Sequence, residues 1–290
     1  MTFLNCTGAT GRINKLKGVF FPLARAQFAP QQANYGTGHP FGACWAWGLI
    51  GPDKFPDKGQ MPGGYPWSGV APNPASAWPP HPFADDIYRF GKPPVLSEDR
   101  WIRGHLINQG WGGDTVWRNL TPLTKLANAN HETVESFIGR FLDASFGWDE
   151  RGSVEAARYW YGVLYWVQCA AQPLSAAPKP TDLYAYAPNF IKLRWRAVRL
   201  QKPDSRGTEA LVRQQAAQAV ANGTLEYLQN RRDIPFDFGT SPVAGKSTLP
   251  TGSEYRPGGA LQGTTAGPPY FQVAPSRNDF DGDIEIHIPV

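Results

Sequence analysis

Val134, Phe137, Ile138, Phe141, Leu142 and Phe146 recur at three- and four-residue steps, the spacing that lays apolar side chains along one side of an α-helix. A second helix is predicted over Thr208–Asn230, rich in alanine and glutamine and stopped near Arg231-Arg232-Asp233. Arg158–Cys169 (RYWYGVLYWVQC) is β-branched and aromatic and reads as a buried strand, although a short, uniformly apolar run carries no period that excludes helix. Phe190–Leu200 alternates instead, with Ile191, Leu193, Trp195 and Ala197 set against Lys192, Arg194 and Arg196. That pattern predicts a strand with one cationic face. Asp85–Phe90 and Val95–Trp101 have extended character. The end, DFDGDIEIHIPV, predicts a closing strand with Ile284, Ile286 and Ile288 on one side. Its Asp279, Asp281, Asp283 and Glu285 do not follow the spacing of an EF-hand loop and read as a solvated acidic turn.

Between these periodic stretches the chain is irregular. Phe20–Phe90 strings together PFGACWAWG, GPDKFPDKG, MPGGYPWSG and NPASAWPPHPF, and proline or glycine every few residues argues against long helices and central strands. Trp45, Trp47, Trp67 and Trp78 predict loops pinned to a core, because disordered segments are poor in such residues. Gly239–Pro269 reads as a long surface loop with little to pack. The composition agrees: Gly 31, Pro 28 and Trp 11, with only 18% charged residues, mark an irregular, aromatic-stapled backbone rather than a helical bundle or βαβ repeat.

Charge and cysteines narrow the classes. A formal net charge of +4 permits a polyanionic substrate without requiring one. Cys6, Cys44 and Cys169 are far apart with no Cys-x-x-Cys, which argues against a treble-clef zinc site or disulfide scaffold and leaves buried thiols. The opening TFLNCTGATGR lacks the third glycine and the βαβ context of a dinucleotide turn. No signal peptide and no membrane-spanning stretch is read from the sequence, so export would need dedicated machinery. His39 and His81, each before a proline, read as structural or surface histidines.

The chemistry is concentrated in Arg103–Glu135, RGHLINQGWGGDTVWRNLTPLTKLANANHETVE. Arg103-Gly104-His105 would end a strand, with Gly104 allowing a tight turn beside the histidine. Gly112-Gly113 would be a flexible turn, and Asn119, ahead of the turn-forming Leu-Thr-Pro, would brace a loop through backbone bonds. On the following helix Asn128, His131, Glu132 and Glu135 fall within an arc of about 100°, beside the apolar stripe. An ordinary amphipathic helix with a solvated face would share that pattern. A histidine on a strand, a loop and an oxygen ligand on a helix also suit phosphodiester cleavage: the imidazole takes a proton from water while a hard divalent cation neutralises the phosphate. One protein oxygen suffices for magnesium, which keeps most of its waters.

Together RGH, NLTP and the helical Asn and Glu resemble the DNA/RNA non-specific endonucleases of the ββα-metal (His-Me finger) superfamily, and toxin domains of bacterial polymorphic and contractile-injection effectors. The resemblance covers about Trp101–Phe146, and Ile102 stands where the family usually has aspartate. It implies His105 as general base, Arg103 as phosphate or leaving-group contact, Asn119 as loop brace, Asn128 as the Mg²⁺ (or Mn²⁺) ligand and Glu135 as support for the metal's waters. Arg118, Lys192, Arg194 and Arg196 would contact the nucleic acid. His131 could reach the metal or substrate, or lie on the helix surface. The expected fold is α+β: a ββα-metal core with an antiparallel sheet, flanking helices and long Pro/Gly/Trp-rich loops. Three segments are expected: 1–84 packed on the core, 85–238 as the nuclease-like domain, and 239–290 as loop and closing strand. The expected partners are nucleic acid, a cognate immunity protein and a secretion-apparatus carrier, with synthesis in a bacterial cytoplasm and injection into a target cell. The competing expectation is a non-catalytic binding module of a phage-like or injection particle.

Overall fold

A computed structural model describes residues 4–5, 17–18, 29–30, 43–51, 101–108, 111, 120–151, 153–156, 158–170, 187–201, 226–244, 249 and 279–288. Its strands are β1 (Leu4–Asn5), β2 (Lys17–Gly18), β3 (Ala29–Pro30), β4 (Ala43–Ile50), β5 (Trp101–His105), β6 (Leu120–Thr124), β7 (Tyr159–Cys169), β8 (Phe190–Gln201), β9 (Glu226–Tyr227) and β10 (Gly282–His287). One α-helix, α1 (Lys125–Arg151), stands among the described residues. The main sheet is antiparallel, ordered β10-β8-β7-β4-β3, with β9 paired to the far end of β8. β1 pairs β2, and β5 pairs β6 as a separate antiparallel ladder. The architecture is α+β. Asp85–Phe90, most of Val95–Trp101, Gly112-Gly113, Arg118, Asn119 and residues 208–225 lie outside the described residues.

Helix α1 packs against β7, β10 and the β5–β6 ladder. Its Val134, Phe137, Ile138, Phe141 and Leu142 enter one core with Tyr161, Val163, Tyr165 and Val167 of β7, Leu193 and Trp195 of β8, and Ile284 and Ile286 of β10. The other face of the sheet is also buried, at Trp160, Leu164, Trp166, Val198 and Leu200. Burial on both faces explains why β7 reads as an unbroken apolar run, since neither set of alternate positions meets water.

That second face corrects two expectations at once. Lys192, Arg194 and Arg196 do not form an open phosphate-binding face, and Asp281, Asp283 and Glu285 are not a solvated turn. β10 lies beside β8 with Asp283 opposite Arg194 and Glu285 opposite Lys192. Arg194, 2% exposed, is ion-paired with Asp283. Lys192 Nζ lies 3.7 Å from both Asp283 and Glu285, and Arg196 Nε lies 4.0 Å from Asp281. Asp281 also accepts the Ala197 backbone N–H at 3.0 Å. On the opposite face of the same pair, the Trp195 indole lies over Gly282, where a Cβ would come within 2.1 Å of the ring, and its Nε1 donates to the Phe280 carbonyl at 2.9 Å. Glycine is therefore the residue that lets β10 close on β8.

Other local differences have equally local causes. Ala43–Ile50, in the stretch expected to lack central strands, is an eight-residue strand between β3 and β7, because ACWAWGLI itself contains no proline. Strands from all three predicted segments thus share one sheet. Leu-Thr-Pro is strand, not turn: Pro122 sits in β6 opposite Arg103, within a ladder of only two strands, where a missing N–H is tolerated. Gly104 is likewise inside a strand, and it serves close packing, since a Cβ there would fall 2.3 Å from Leu123 Cδ1. The second predicted helix does not reach Asn230: Glu226–Tyr227 joins β8, Tyr227 stacks under Arg196, and Leu228 N–H bonds the Ala197 carbonyl at 3.1 Å. Val243 and Leu249, in the segment expected to pack little, are buried in the core. Cys169 is a buried thiol that donates to Thr121 Oγ1 at 3.4 Å. Among the described residues no helix is long and apolar enough to cross a membrane.

Removing one partner from a buried ion pair strands the other, at a cost of about 3–5 kcal/mol. Asp283→Ala is therefore expected to lower the urea midpoint sharply, and Arg194→Met combined with Asp283→Leu to recover most of the loss. An Asp283→Ala protein as stable as the parent would show that the ladder contributes nothing.

Candidate functional site

His105 closes β5 opposite Leu120, the first residue of β6, and β6 runs straight into α1. Thr124 caps the helix: its Oγ1 accepts the Ala127 backbone N–H at 3.3 Å. With the helix start fixed by that cap and by the strand before it, the rotational position of each polar side chain follows. Taking Asn128 as zero and about 100° per residue, Glu132 lies about 40° to one side, with Glu135 about 20° and His131 about 60° to the other. Burial follows this angle. Glu132 is exposed, Asn128 is half-buried, and Glu135 and His131 are 8% and 1% exposed. The stripe passes from solvent into the core within half a turn of helix circumference.

The inner part of the stripe is a hydrogen-bonded cluster drawn from three elements. His131 Nε2 lies 2.8 Å from the Tyr165 hydroxyl of β7 and 3.6 Å from Glu135 Oε1. Asn108, in the turn after β5, donates from Nδ2 to Glu135 Oε2 at 2.8 Å. Trp111 N–H bonds the Asn108 carbonyl at 3.0 Å, and the Trp111 ring meets Tyr165 edge-on at 5.5 Å between centroids. Leu106 and Ile107 of the same turn are buried in the core.

Electrostatics make this cluster neutral. Burial, joined by positive charge on nearby His105, lowers the His131 imidazole from 6.5 to about 3. Burial pushes the Glu135 carboxyl up from 4.5 to about 8; the Asn108 bond opposes that rise and the Glu132 charge adds to it. Burial, with Glu135, also keeps the Tyr165 phenol protonated. The close approach of His131 and Glu135 is thus a contact of neutral groups, not an ion pair. Neutrality is the cheaper solution, because an ionised side chain at this depth loses its hydration.

Of the residues singled out by sequence, His105, His131, Glu132 and Glu135 gather here, and Asn128 stands at the solvent edge of the same stripe. His131 lies neither on the helix surface nor toward a solvent-facing metal. Glu135 turns its oxygens to Asn108 and His131 from inside the core. Arg103 is placed in β5 opposite Pro122. Lys192, Arg194 and Arg196 are committed to the ladder with β10. Sequence reasoning missed Asn108, Trp111 and Tyr165. Asn108, three residues past His105, carried a positional hint; Tyr165 could be found only from the β7–β8 register, which turns it toward α1.

No protein-family model matches the chain, and no curated protein or solved structure matches it significantly.

Among the described residues no three His, Cys, Asp or Glu side chains form a metal cage. A largely hydrated magnesium ion does not need one. Asn128 Nδ2 donates to Glu132 Oε1 at 2.5 Å, which directs its amide oxygen away from that carboxylate. A half-buried amide oxygen at the solvent edge of the helix is a ligand of the type that a hard, largely hydrated divalent cation accepts.

The inner pair shapes stability against pH. Folded Glu135 keeps its proton up to about 8 while the unfolded chain releases it from 4.5, so this group's contribution falls as pH rises through that window. His131 acts in the opposite sense: its contribution is full above 6.5 and is lost as pH falls toward 3. The two oppose each other between 4.5 and 6.5 and leave Glu135 alone above that. Denaturation midpoints are expected to decline from pH 6.5 to 8, and Glu135→Gln to flatten that decline. An unchanged slope in the variant would mean that Glu135 is already ionised.

Proposed function

We propose that the chain is a metal-dependent, largely sequence-non-specific endonuclease that hydrolyses DNA or RNA phosphodiester bonds on a ββα-metal core made of β5, β6 and α1. The observation that carries this reading is one of placement. A partly exposed histidine ends the first strand of a strand–strand–helix unit, and an asparagine oxygen donor stands at the solvent boundary of the helix. The chemically distinctive residues follow in the order RGH, NLTP, helical Asn.

In this reading His105 removes the proton from the attacking water, and the amide oxygen of Asn128 would hold Mg²⁺ or Mn²⁺. Bound there, the cation would supply neutralisation of the scissile phosphate and of the departing alkoxide. Arg103 contacts the phosphate or leaving group, Asn119 braces the loop ahead of β6, and Arg118 contacts the substrate backbone. Phosphate contacts from cations such as Arg103 and Arg118 would make binding weaken with salt. Biologically, the protein would act as a bacterial toxin, injected by a specialised secretion apparatus and restrained in its producer by an immunity protein.

Plasmid and RNA digestion by the full chain is expected with Mg²⁺ or Mn²⁺ and is expected to stop with EDTA. His105→Ala should slow cutting by about 10²–10⁴-fold, as loss of a general base does. Asn128→Ala should raise the Mg²⁺ concentration needed. If no divalent ion supports cutting, or His105→Ala cuts as fast as the parent, the nuclease reading is wrong and a binding module takes its place.

A further inference from the structure

Glu135 and His131 are buried titratable groups that the proposed chemistry leaves unused, and their contacts point at the general base rather than at a cation. The turn after His105 is fastened twice. Asn108 ties it to α1 through Glu135, and Trp111 ties it to β7 through Tyr165, which itself bonds His131. Each link joins an element that does not carry His105 to the few residues that follow it. We infer that Asn108, Glu135, His131 and Tyr165 form a positioning network that holds the turn after β5 against α1 and β7 and so fixes the imidazole of His105. This rests on the nuclease reading for its catalytic consequence, though not for the structural one.

The competing role for Glu135 is an ionised carboxylate facing the waters of a metal ion. Its geometry opposes that role. One oxygen accepts from Asn108, the other faces His131, and the side chain lies inside the core, while the exposed carboxylate of the stripe is Glu132. The ionisable groups around it are His131 and Glu132 on α1 and Tyr165 on β7, while His105 on β5 acts on His131. Neither Asn108 nor His131, the two side chains its oxygens meet, supplies a fixed positive charge, so the protonated acid is the form the site accommodates. A protonated carboxyl and a carboxamide have nearly the same shape, and both are neutral with one donor side and one acceptor side. Glutamine should therefore serve where alanine does not.

The test compares Glu135→Gln, Glu135→Ala, Asn108→Ala and Tyr165→Phe with the parent. Glu135→Ala and Asn108→Ala are expected to lower kcat by about 10²-fold, the cost of a misplaced catalytic group, with little change in KM or in the Mg²⁺ needed. Glu135→Gln is expected to restore most of that loss. Amide hydrogen exchange of residues 106–108 is expected to quicken in Glu135→Ala and Asn108→Ala, less in Tyr165→Phe, and to stay slow in Glu135→Gln. The inference is overturned if Glu135→Gln raises the Mg²⁺ requirement by about tenfold or more, as loss of a metal-supporting carboxylate does. It is equally overturned if exchange at 106–108 is the same in all four variants. Should the parent protein cut nothing, the nuclease reading fails, while the exchange measurement still decides whether the network holds the turn.

Discussion

Helix α1 can lie on the sheet only if the polar side chains that cross from its buried to its exposed side are satisfied without charge. A charged His131 or Glu135 at this depth would forfeit several kcal/mol of hydration. Neutral and hydrogen-bonded to Tyr165 and Asn108, they cost little. That requirement fixes the rotation of α1 about its own axis. Turning the helix a quarter-turn one way would bury Glu132, and a quarter-turn the other way would lift Val134 and Ile138 out of the core. Between those limits Asn128 has one place, at the boundary, with its amide oriented by Glu132.

The periodic elements were legible because their periods are local properties. The helix over Val134–Phe146, the strands at Arg158–Cys169 and Phe190–Leu200, and the closing strand with its isoleucines stand where their spacing puts them. What spacing cannot supply is a partner. The alternation of Lys192, Arg194 and Arg196 looked like a solvent-facing cationic strand, and the acids of DFDGDIE looked like a turn, because each was read alone. Their meeting depends on β10 returning to β8 across some eighty residues of chain. Two features that looked separately anomalous are one charge ladder.

The same limit applies within the site. Helical geometry placed Asn128, His131, Glu132 and Glu135 on one arc, and a strand ending at His105 was also legible. Depth was not. A 3.6-residue period gives the angle of each side chain but not where the sheet's surface cuts across that arc, so His131 and Glu135 looked equivalent to Asn128. Glycine and proline misled for a related reason. Gly104 and Pro122 were read as turn formers, whereas one leaves room for Leu123 and the other sits in a two-stranded ladder where no neighbour wants its missing N–H.

Neutralising the β8 cations relocates the electrostatics of any polyanion site. Lys192, Arg194 and Arg196 are matched by Asp281, Asp283 and Glu285, so the ladder is neutral and the chain's formal excess of +4 lies entirely outside it. For the proposed nuclease, a nucleic-acid track would therefore have to be assembled from other cations. The exposed Lys125 at the head of α1 is on the same unit as His105 and Asn128, and Arg103 and Arg118 belong to the same short stretch of sequence. Substrate recognition and bond cleavage would then share the strand–strand–helix unit, leaving the large sheet the mechanical task of holding α1 at one angle.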